Sequence, residues 1–420
     1  MKKTLLSLLA ILLAAGVFYM ARYLDTAPME HGYENRQPQQ TLEYTPTAEE
    51  TQPAGETQET PEETEAAPEQ AGTEATAPQE ATGETAEETE PAQSVAATLP
   101  AETLPEETEP VETVPPYTGA GGETYVLSFA GDCTLGCNLN HAYNGFGFFK
   151  TIGEDYEYPF ANFKSYFVSD DLTLVNLEGP LCVGGNPAVK EHVFRGAPEY
   201  ISILTENGVE FASLANNHSM DYGTVGYEET KANLENADIS YVERDSSVVV
   251  TTESGLTVGI YGAVYYLMEE AVIRKEISAL RRTGVDLVIF APHWGSENSY
   301  VTTDDQVKLA HAAIDAGADI VFGTHPHVLQ PIEEYNGGVI FYSLGNFSFG
   351  GNIYPKDYDT ALVQQEIIRN ADGTVSLGER TVVPASISSL ADRNDYQPTP
   401  YEEGSEGYKR VMQKLNGTFR

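Results

Sequence analysis

Histidine, carboxylate and amide side chains follow one short apolar segment after another in the C-terminal part of this 420-residue chain. These side chains belong to Asp132, Glu178, Asn217, His218, His293, His325 and His327. A shell of imidazole, carboxylate and amide groups without thiolate suits manganese, zinc or iron rather than calcium. Because seven such groups exceed the needs of one tetrahedral ion, the set favours two divalent ions about 3.5–4 Å apart, bridged by a carboxylate.

The pair His325 and His327 is the most specific part of this pattern. Pro326 lies between the two histidines, where it restricts φ and removes a backbone N–H. In an extended segment, residues two apart point to the same side. The spacing therefore predicts that both imidazoles face one site.

Each of the other candidates has a plainer interpretation when taken alone. Asp132 could cap a turn, and Glu178 could be a surface acid. The pair Asn217–His218 could form a capped loop, and His293 could pack in the core beside Trp294. Turns alone do not explain ligand-type residues at the end of six apolar segments, so the joint pattern favours a metal site.

The apolar segments themselves are typical of buried strands. They cover residues 125–130, 172–175, 211–214, 285–290, 320–323 and 339–342, and strand-like stretches at 361–368 and 374–383 are expected to complete the second sheet. Helical periodicity is found between them, at 224–236 and 304–316. Buried strands that alternate with helices predict an α/β fold, in which ligands gather beyond the carboxyl ends of the strands.

The N-terminal part of the chain has a different character. Residues 1–24 contain Lys2 and Lys3 and then an apolar run, which predicts an uncleaved signal-anchor transmembrane segment, with a cleaved and secreted form as the alternative. Residues 25–122 are rich in Thr, Glu, Pro and Ala and predict a disordered acidic linker. Because basic residues beside a transmembrane segment tend to stay on the cytoplasmic side, Lys2 and Lys3 place the N-terminus inside, and the domain formed by residues 123–420 is expected outside the cell.

Charge and cysteine content exclude several classes of protein. A formal net charge of −41 argues against nucleic-acid binding, which needs clustered Lys and Arg. The three cysteines, Cys133, Cys137 and Cys182, are too few for a disulfide scaffold. A single Cys137–Cys182 bridge and three free thiols both remain open.

Six ordered motifs resemble those of a known family. They are Gly131-Asp132, Asn176-Leu177-Glu178-Gly179-Pro180-Leu181, Ala215-Asn216-Asn217-His218, His293-Trp294-Gly295, Gly323-Thr324-His325-Pro326-His327 and Ser343-Leu344-Gly345-Asn346-Phe347. The set resembles the CapA family of poly-γ-glutamate capsule-synthesis proteins, which are related in fold to calcineurin-like metallophosphoesterases. The resemblance implies a four-layer sandwich of two mixed β-sheets flanked by helices, and a metal-dependent hydrolase with two divalent ions.

The resemblance also implies roles for individual residues. It makes six of the candidates metal ligands, namely Asp132, Glu178, Asn217, His293, His325 and His327. Glu178 would bridge the ions, and His218 would donate a proton to the leaving group. Arg195 and Asn346 would bind an anionic substrate, although Arg195 could equally form a surface salt bridge. The chain departs from the family at Ser296-Glu297-Asn298, where many members carry Glu-Tyr.

Three functions are compatible with these features. The resemblance implies a membrane-anchored extracellular protein in poly-γ-glutamate synthesis, export or attachment, with other membrane capsule-synthesis proteins as partners. The metal site alone would support an extracellular phosphatase or phosphodiesterase acting on a phosphorylated substrate. A non-enzymatic scaffold for an anionic polymer is the third alternative, although a scaffold would not need the whole set of ligands.

Overall fold

The computed structural model describes residues 122–138 and 145–419. The predicted anchor at residues 1–24 and nearly all of the predicted linker at 25–122 lie outside this range. Within it, no helix combines the length and apolar character needed to cross a bilayer.

The described residues form sixteen strands and seven α-helices. The strands are β1 (Glu123–Thr134), β2 (Cys137–Asn138), β3 (Leu172–Leu177), β4 (Phe194–Arg195), β5 (Phe211–Ser213), β6 (Ser240–Val242), β7 (Ser246–Thr251), β8 (Thr257–Val264), β9 (Leu287–His293), β10 (Ile320–Phe322), β11 (Ile332–Tyr335), β12 (Gly338–Phe341), β13 (Asn346–Phe349), β14 (Asp359–Arg369), β15 (Val375–Ser386) and β16 (Thr399–Pro400). The helices are α1 (Phe148–Ile152), α2 (Lys164–Phe167), α3 (Ile201–Thr205), α4 (Gly223–Asn236), α5 (Glu270–Arg282), α6 (Asp304–Asp315) and α7 (Glu406–Leu415).

Strand β1 lies in the middle of the larger sheet, whose order is β16-β15-β14-β1-β3-β5-β6, with β13 also paired to β1. Strands β1, β3, β5 and β6 are parallel, whereas β14 and β15 are antiparallel. The expectation that the strands after Asn352 complete the second sheet is wrong. They extend the sheet of β1 instead, because β14 pairs with β1 continuously from Glu123↔Arg369 to Phe129↔Val363.

The smaller sheet has the order β11-β12-β10-β9-β8-β7. Its four inner strands are parallel, and the outer strands β7 and β11 are antiparallel to their neighbours. Both sheets are therefore mixed, and in each the parallel strands end at a common edge.

The two sheets pack face to face and carry helices on their outer faces. Phe129 of β1 lies between the sheets, with its ring 5.3 Å from the rings of both Phe322 and Phe341. Outside the smaller sheet, α5 buries Ile273 and Ile277 at helical spacing in a cluster shared with α6. Helix α6 begins with a capping box in which Thr303 accepts a hydrogen bond from the Gln306 backbone N–H. The arrangement is the expected α/β sandwich.

The three cysteines are buried free thiols. Of the two alternatives, the structure therefore has the three thiols rather than a Cys137–Cys182 bridge. Burial raises the pKa of Cys133 and of Cys137 to about 12, so both stay protonated and unreactive at neutral pH.

Candidate metal centre

The carboxyl ends of the parallel strands bring the predicted ligands together. Asp132 lies near the end of β1, Glu178 directly follows β3, and His293 is the last residue of β9. Gly131 allows β1 to approach the loop before β13, because a Cβ atom there would lie 2.0 Å from the Gly345 carbonyl oxygen. The Asp132 backbone N–H donates to the same carbonyl at 2.8 Å.

Glu178 is the most unusual side chain of the site. It is fully buried, and neither carboxylate oxygen has a hydrogen-bond partner within the described part of the chain. Three imidazole Nε2 atoms surround its Oε1, at 3.9 Å from His218, 3.9 Å from His293 and 3.7 Å from His327. These distances are too long for hydrogen bonds, yet they suit ligands that share a cation. A buried carboxylate in this position needs a cation or a proton, so the site fits a divalent metal ion.

The remaining ligand candidates lie in two groups beside Glu178. In one, Asp132 Oδ2 lies 3.0 Å from His327 Nδ1. In the other, His293 Nε2 lies 2.9 Å from Asn217 Oδ1 and 3.0 Å from His325 Nδ1. All six predicted ligands therefore converge, with Glu178 Oε1 within 3.9 Å of a histidine from each group.

Burial and neighbouring charges shift the pKa values of these groups in different directions. Burial raises the pKa of Glu178 well above its usual value, and the charge of Asp132 adds to the effect. Burial lowers the pKa of His293 well below the usual value and that of His325 to about 4. Burial also lowers the pKa of His327, but Glu178 and Asp132 outweigh it and raise the value to about 10. His293 and His325 are thus neutral at pH 7, which is the form that binds metal, whereas His327 must release a proton to bind an ion.

The segment that carries His325 and His327 is not extended, contrary to the expectation from their spacing. Their φ angles are 100° and 58°, in the region that glycine prefers. Such backbone costs about 1–3 kcal/mol per residue and persists where the surroundings enforce it. The two imidazoles converge because of this bent backbone, and not because of strand alternation.

Amide and hydroxyl groups orient the ligands from behind. Asn176 donates from Nδ2 to Asp132 Oδ1 at 2.8 Å, and its own Oδ1 accepts from Asn216 at 3.0 Å. The Thr324 hydroxyl lies 3.0 Å from His293 Nδ1, which leaves Nε2 facing the site. Our sequence interpretation did not assign these roles, although Asn176 and Asn216 are part of the motifs.

His218 lies at the edge of the ligand cluster with a carboxylate behind it. Its Nδ1 lies 2.8 Å from Asp221 Oδ2, and Lys190 Nζ is 2.5 Å from the other oxygen of Asp221. Phe194 packs against the imidazole, with the ring centres 4.3 Å apart. Burial lowers the pKa of His218, whereas its hydrogen bond with Asp221 opposes this effect. The Nε2 atom of His218 therefore faces Glu178.

A cavity of about 230 Å³ opens onto the cluster and is lined by His218, His327 and Asn346, among others. Asn346 Oδ1 lies 3.0 Å from His327 Nδ1, beside the ligand cluster, and its contact with substrate stays a prediction. Arg195 does not line the cavity. Since neighbouring residues of β4 face opposite sides, Phe194 meets His218 while Arg195 stacks on the Tyr222 ring at 4.5 Å.

Glu297 is a further metal-capable residue that our sequence interpretation did not assign to the metal. Its carboxylate groups with His325 and His327, with ligand atoms within 4.8 Å of one another. It follows His293-Trp294-Gly295 by two positions, in the segment that departs from the family pattern. The segment that departs from the family pattern therefore reaches the metal centre.

Residues 126–351 match the family described as "Bacterial capsule synthesis protein PGA_cap". The chain belongs to this family. The match includes every ligand candidate of the centre, while β14, β15 and α7 of this PGA_cap protein lie beyond it.

Curated relatives carry related descriptions. The capsule biosynthesis protein CapA of Bacillus anthracis is 29% identical over 303 residues, covering 65% of this chain and 72% of that protein. The PGA biosynthesis protein CapA of Bacillus subtilis is 32% identical over 255 residues, covering 54% and 67%. Among solved structures, the NAD nucleotidase of Haemophilus influenzae is 12% identical with a TM-score of 0.37, covering 70% of this PGA_cap protein and 63% of that chain.

Proposed function

We propose that this PGA_cap protein is a metal-dependent hydrolase that acts outside the cell, anchored by residues 1–24, in the synthesis, export or attachment of an anionic capsule polymer such as poly-γ-glutamate. The family and the descriptions of the two CapA relatives support the capsule role. The proposed partners are the polymer, the membrane and other membrane proteins of capsule synthesis.

The fully buried carboxylate of Glu178, whose oxygens have no hydrogen-bond partner in the described part of the chain, carries the proposal of a hydrolase. Burying this polar group without a hydrogen bond is costly, and a protein that only binds a polymer has no use for it. We infer two divalent ions, manganese, zinc or iron, and Glu178 would be a ligand of both. Asp132 and His327 would hold one ion, and Asn217, His293 and His325 the other.

Such ions would supply Lewis acidity and an activated water to a hydrolytic reaction. The protein's own contribution is proton transfer and orientation. In its imidazolium form His218 would donate the proton on Nε2 to the leaving group, because Asp221 accepts from Nδ1, fixes the ring and opposes the effect of burial on its pKa. Asn346, at the cavity wall, would bind the substrate. Since Arg195 stacks on Tyr222 away from the cavity, its proposed contact with an anionic substrate needs a substrate that extends beyond the cavity.

A phosphatase or phosphodiesterase of unknown substrate is the second candidate. The placement of His218 beside Glu178 favours it, because a protonated imidazole suits the departure of an alcohol from phosphorus. The two candidates share the centre and differ only in the bond that is broken.

The test uses the full-length chain in detergent with manganese or zinc. Release of glutamate oligomers from poly-γ-glutamate and of phosphate from aryl phosphates distinguishes the two candidates. We expect His325→Ala to lower the bound metal and the hydrolysis together. His311→Ala is the matched control, because His311 lies on α6 and pairs with Glu333 of β11, away from the centre. If His325→Ala kept both its metal and its activity, the assignment of the centre would be wrong.

A further inference from the structure

The two sheets have free edges that lie next to each other. Strand β6 ends the larger sheet and β7 ends the smaller one, and only the short segment 243–245 connects them. Among the described strands, β6 pairs with β5 and β7 pairs with β8, and neither has a partner on its outer side. The edge of β7 thus presents backbone donors and acceptors that another strand could use.

Strand β7 has none of the features that usually protect an edge. Its sequence is Ser-Ser-Val-Val-Val-Thr, without a charged residue or a proline. Its pairing with β8 is regular from Ser246↔Gly262 to Thr251↔Thr257, without a bulge. Val248 and Val250 pack towards the core, whereas Val249 on the other face is 41% exposed. Six residues of this kind are a template of about 20 Å for an added strand.

The surface beside this edge is strongly acidic. A groove of about 720 Å³ runs along β6 and β7, and a second of about 680 Å³ continues from it, since both are lined by Asp238, Ser240, Val250 and Thr251. We call the two together the edge groove. Its acidic side chains are those of Asp170, Asp171, Glu210, Glu235, Asp238, Glu243 and Glu253. None of the described residues that line it is Lys, Arg or His; Lys231 from α4 reaches Glu243 at 3.1 Å.

The charge of the groove decides which occupant it suits. The predicted linker at residues 25–122 is itself acidic, and a second copy of the chain would bring the same carboxylates to the contact. Like charges at close contact are destabilising, so both occupants are disfavoured. An extended segment with Lys or Arg at alternate positions would pair its backbone with β7 and its cations with the groove.

We propose that the edge groove binds an extended, lysine- or arginine-rich segment of a partner protein, which adds as a strand to β7. This surface is separate from the metal centre, because none of the ligand candidates lines it. The proposal therefore does not depend on the hydrolytic function.

The test measures binding of a fluorescent ten-residue peptide of alternating Lys and Val to the full-length chain in detergent, by fluorescence anisotropy. A peptide of alternating Glu and Val is the matched control, which we expect not to bind. Val249→Lys places a positive charge on the exposed face of β7, and we expect it to weaken binding at least tenfold. Val272→Lys adds the same charge on α5 at a position of similar exposure, 38% against 41%, and should bind like the wild type.

Two further measurements separate strand addition from simple charge attraction. Hydrogen exchange should show that the basic peptide protects backbone amides of β7. Glu253→Lys, which leaves the strand unchanged, should also weaken binding about tenfold. Equal binding of both peptides, or protection only outside β7, would overturn the proposal. A concentration-dependent dimer that Val249→Lys abolishes would also overturn the proposal, because a second copy of the chain would then be the partner of β7.

Discussion

Replacing Glu178 with Gln tests the metal centre directly, because the amide keeps the shape of the side chain and removes its charge. The carboxylate is fully buried and its oxygens have no hydrogen-bond partner among the described residues. Without metal, burial raises the pKa of Glu178, so the native state holds either a proton that the unfolded chain releases at neutral pH or a buried charge that His327 offsets only in part. Either form costs about 3 kcal/mol, whereas an unsatisfied amide costs about 1–3 kcal/mol. The metal-free variant should therefore be about 1 kcal/mol more stable than the wild type.

Bound metal should make the wild type more stable than Glu178→Gln. At a metal concentration about 100 times Kd, the native state gains about 2.7 kcal/mol. If loss of the anionic ligand weakens binding about 100-fold, the variant gains only about 0.4 kcal/mol. At about 2–4 °C per kcal/mol, metal would raise the Tm of the wild type by about 5–10 °C and that of Glu178→Gln by about 1 °C.

Thermal unfolding of the full-length chain, in EDTA and in excess manganese, measures both effects. Asp170→Asn is the control, because it removes a half-buried carboxylate outside the centre and should keep the full response to metal. The reasoning fails if metal raises the Tm of wild type and Glu178→Gln equally. It also fails if Glu178→Gln is the less stable protein in EDTA.

Other predictions concern two charged groups outside this centre and the histidine at its edge. Lys414 is buried and lies 2.6 Å from Asp357 and 2.7 Å from Asp359, so Lys414→Met should lower the free energy of unfolding by about 3 kcal/mol in urea titrations. Burial raises the pKa of Asp170 to about 6, so the native state keeps a proton that the unfolded chain releases near pH 4. As the pH rises from 4 to 6, the free energy of unfolding of the wild type should therefore fall by about 1–3 kcal/mol relative to that of Asp170→Asn. Urea titration at each pH measures this difference. His218→Asn should lower kcat at least 100-fold for alkyl phosphates and much less for nitrophenyl phosphate, whose leaving group needs no proton; equal losses would exclude proton donation.

The positions of the strands and of the ligand-type residues at their ends could be predicted from local sequence. Short apolar segments followed by Asp132, Glu178 or His293 identified both the strands and the polar residues at their ends, because parallel strands end at a common edge. The helix at residues 304–316 was also predictable, since its capping signal and periodicity are local. These are features that residues close in sequence determine.

Other features depend on contacts between distant residues. Our sequence interpretation did not predict that His218 would be held by Lys190 and Asp221 together. The positive φ of His325 is imposed by its surroundings and contradicts the extended backbone that its spacing suggested.

The sequence by itself determined which residues could bind metal and which segments could be strands, since both follow from side-chain chemistry and short-range periodicity. Only the tertiary structure decided that β14 joins β1, that Arg195 turns towards Tyr222, and that Glu178 is buried without a hydrogen bond. Strand pairing and the removal of water from a charge depend on what the rest of the chain brings alongside, and local sequence does not contain that information.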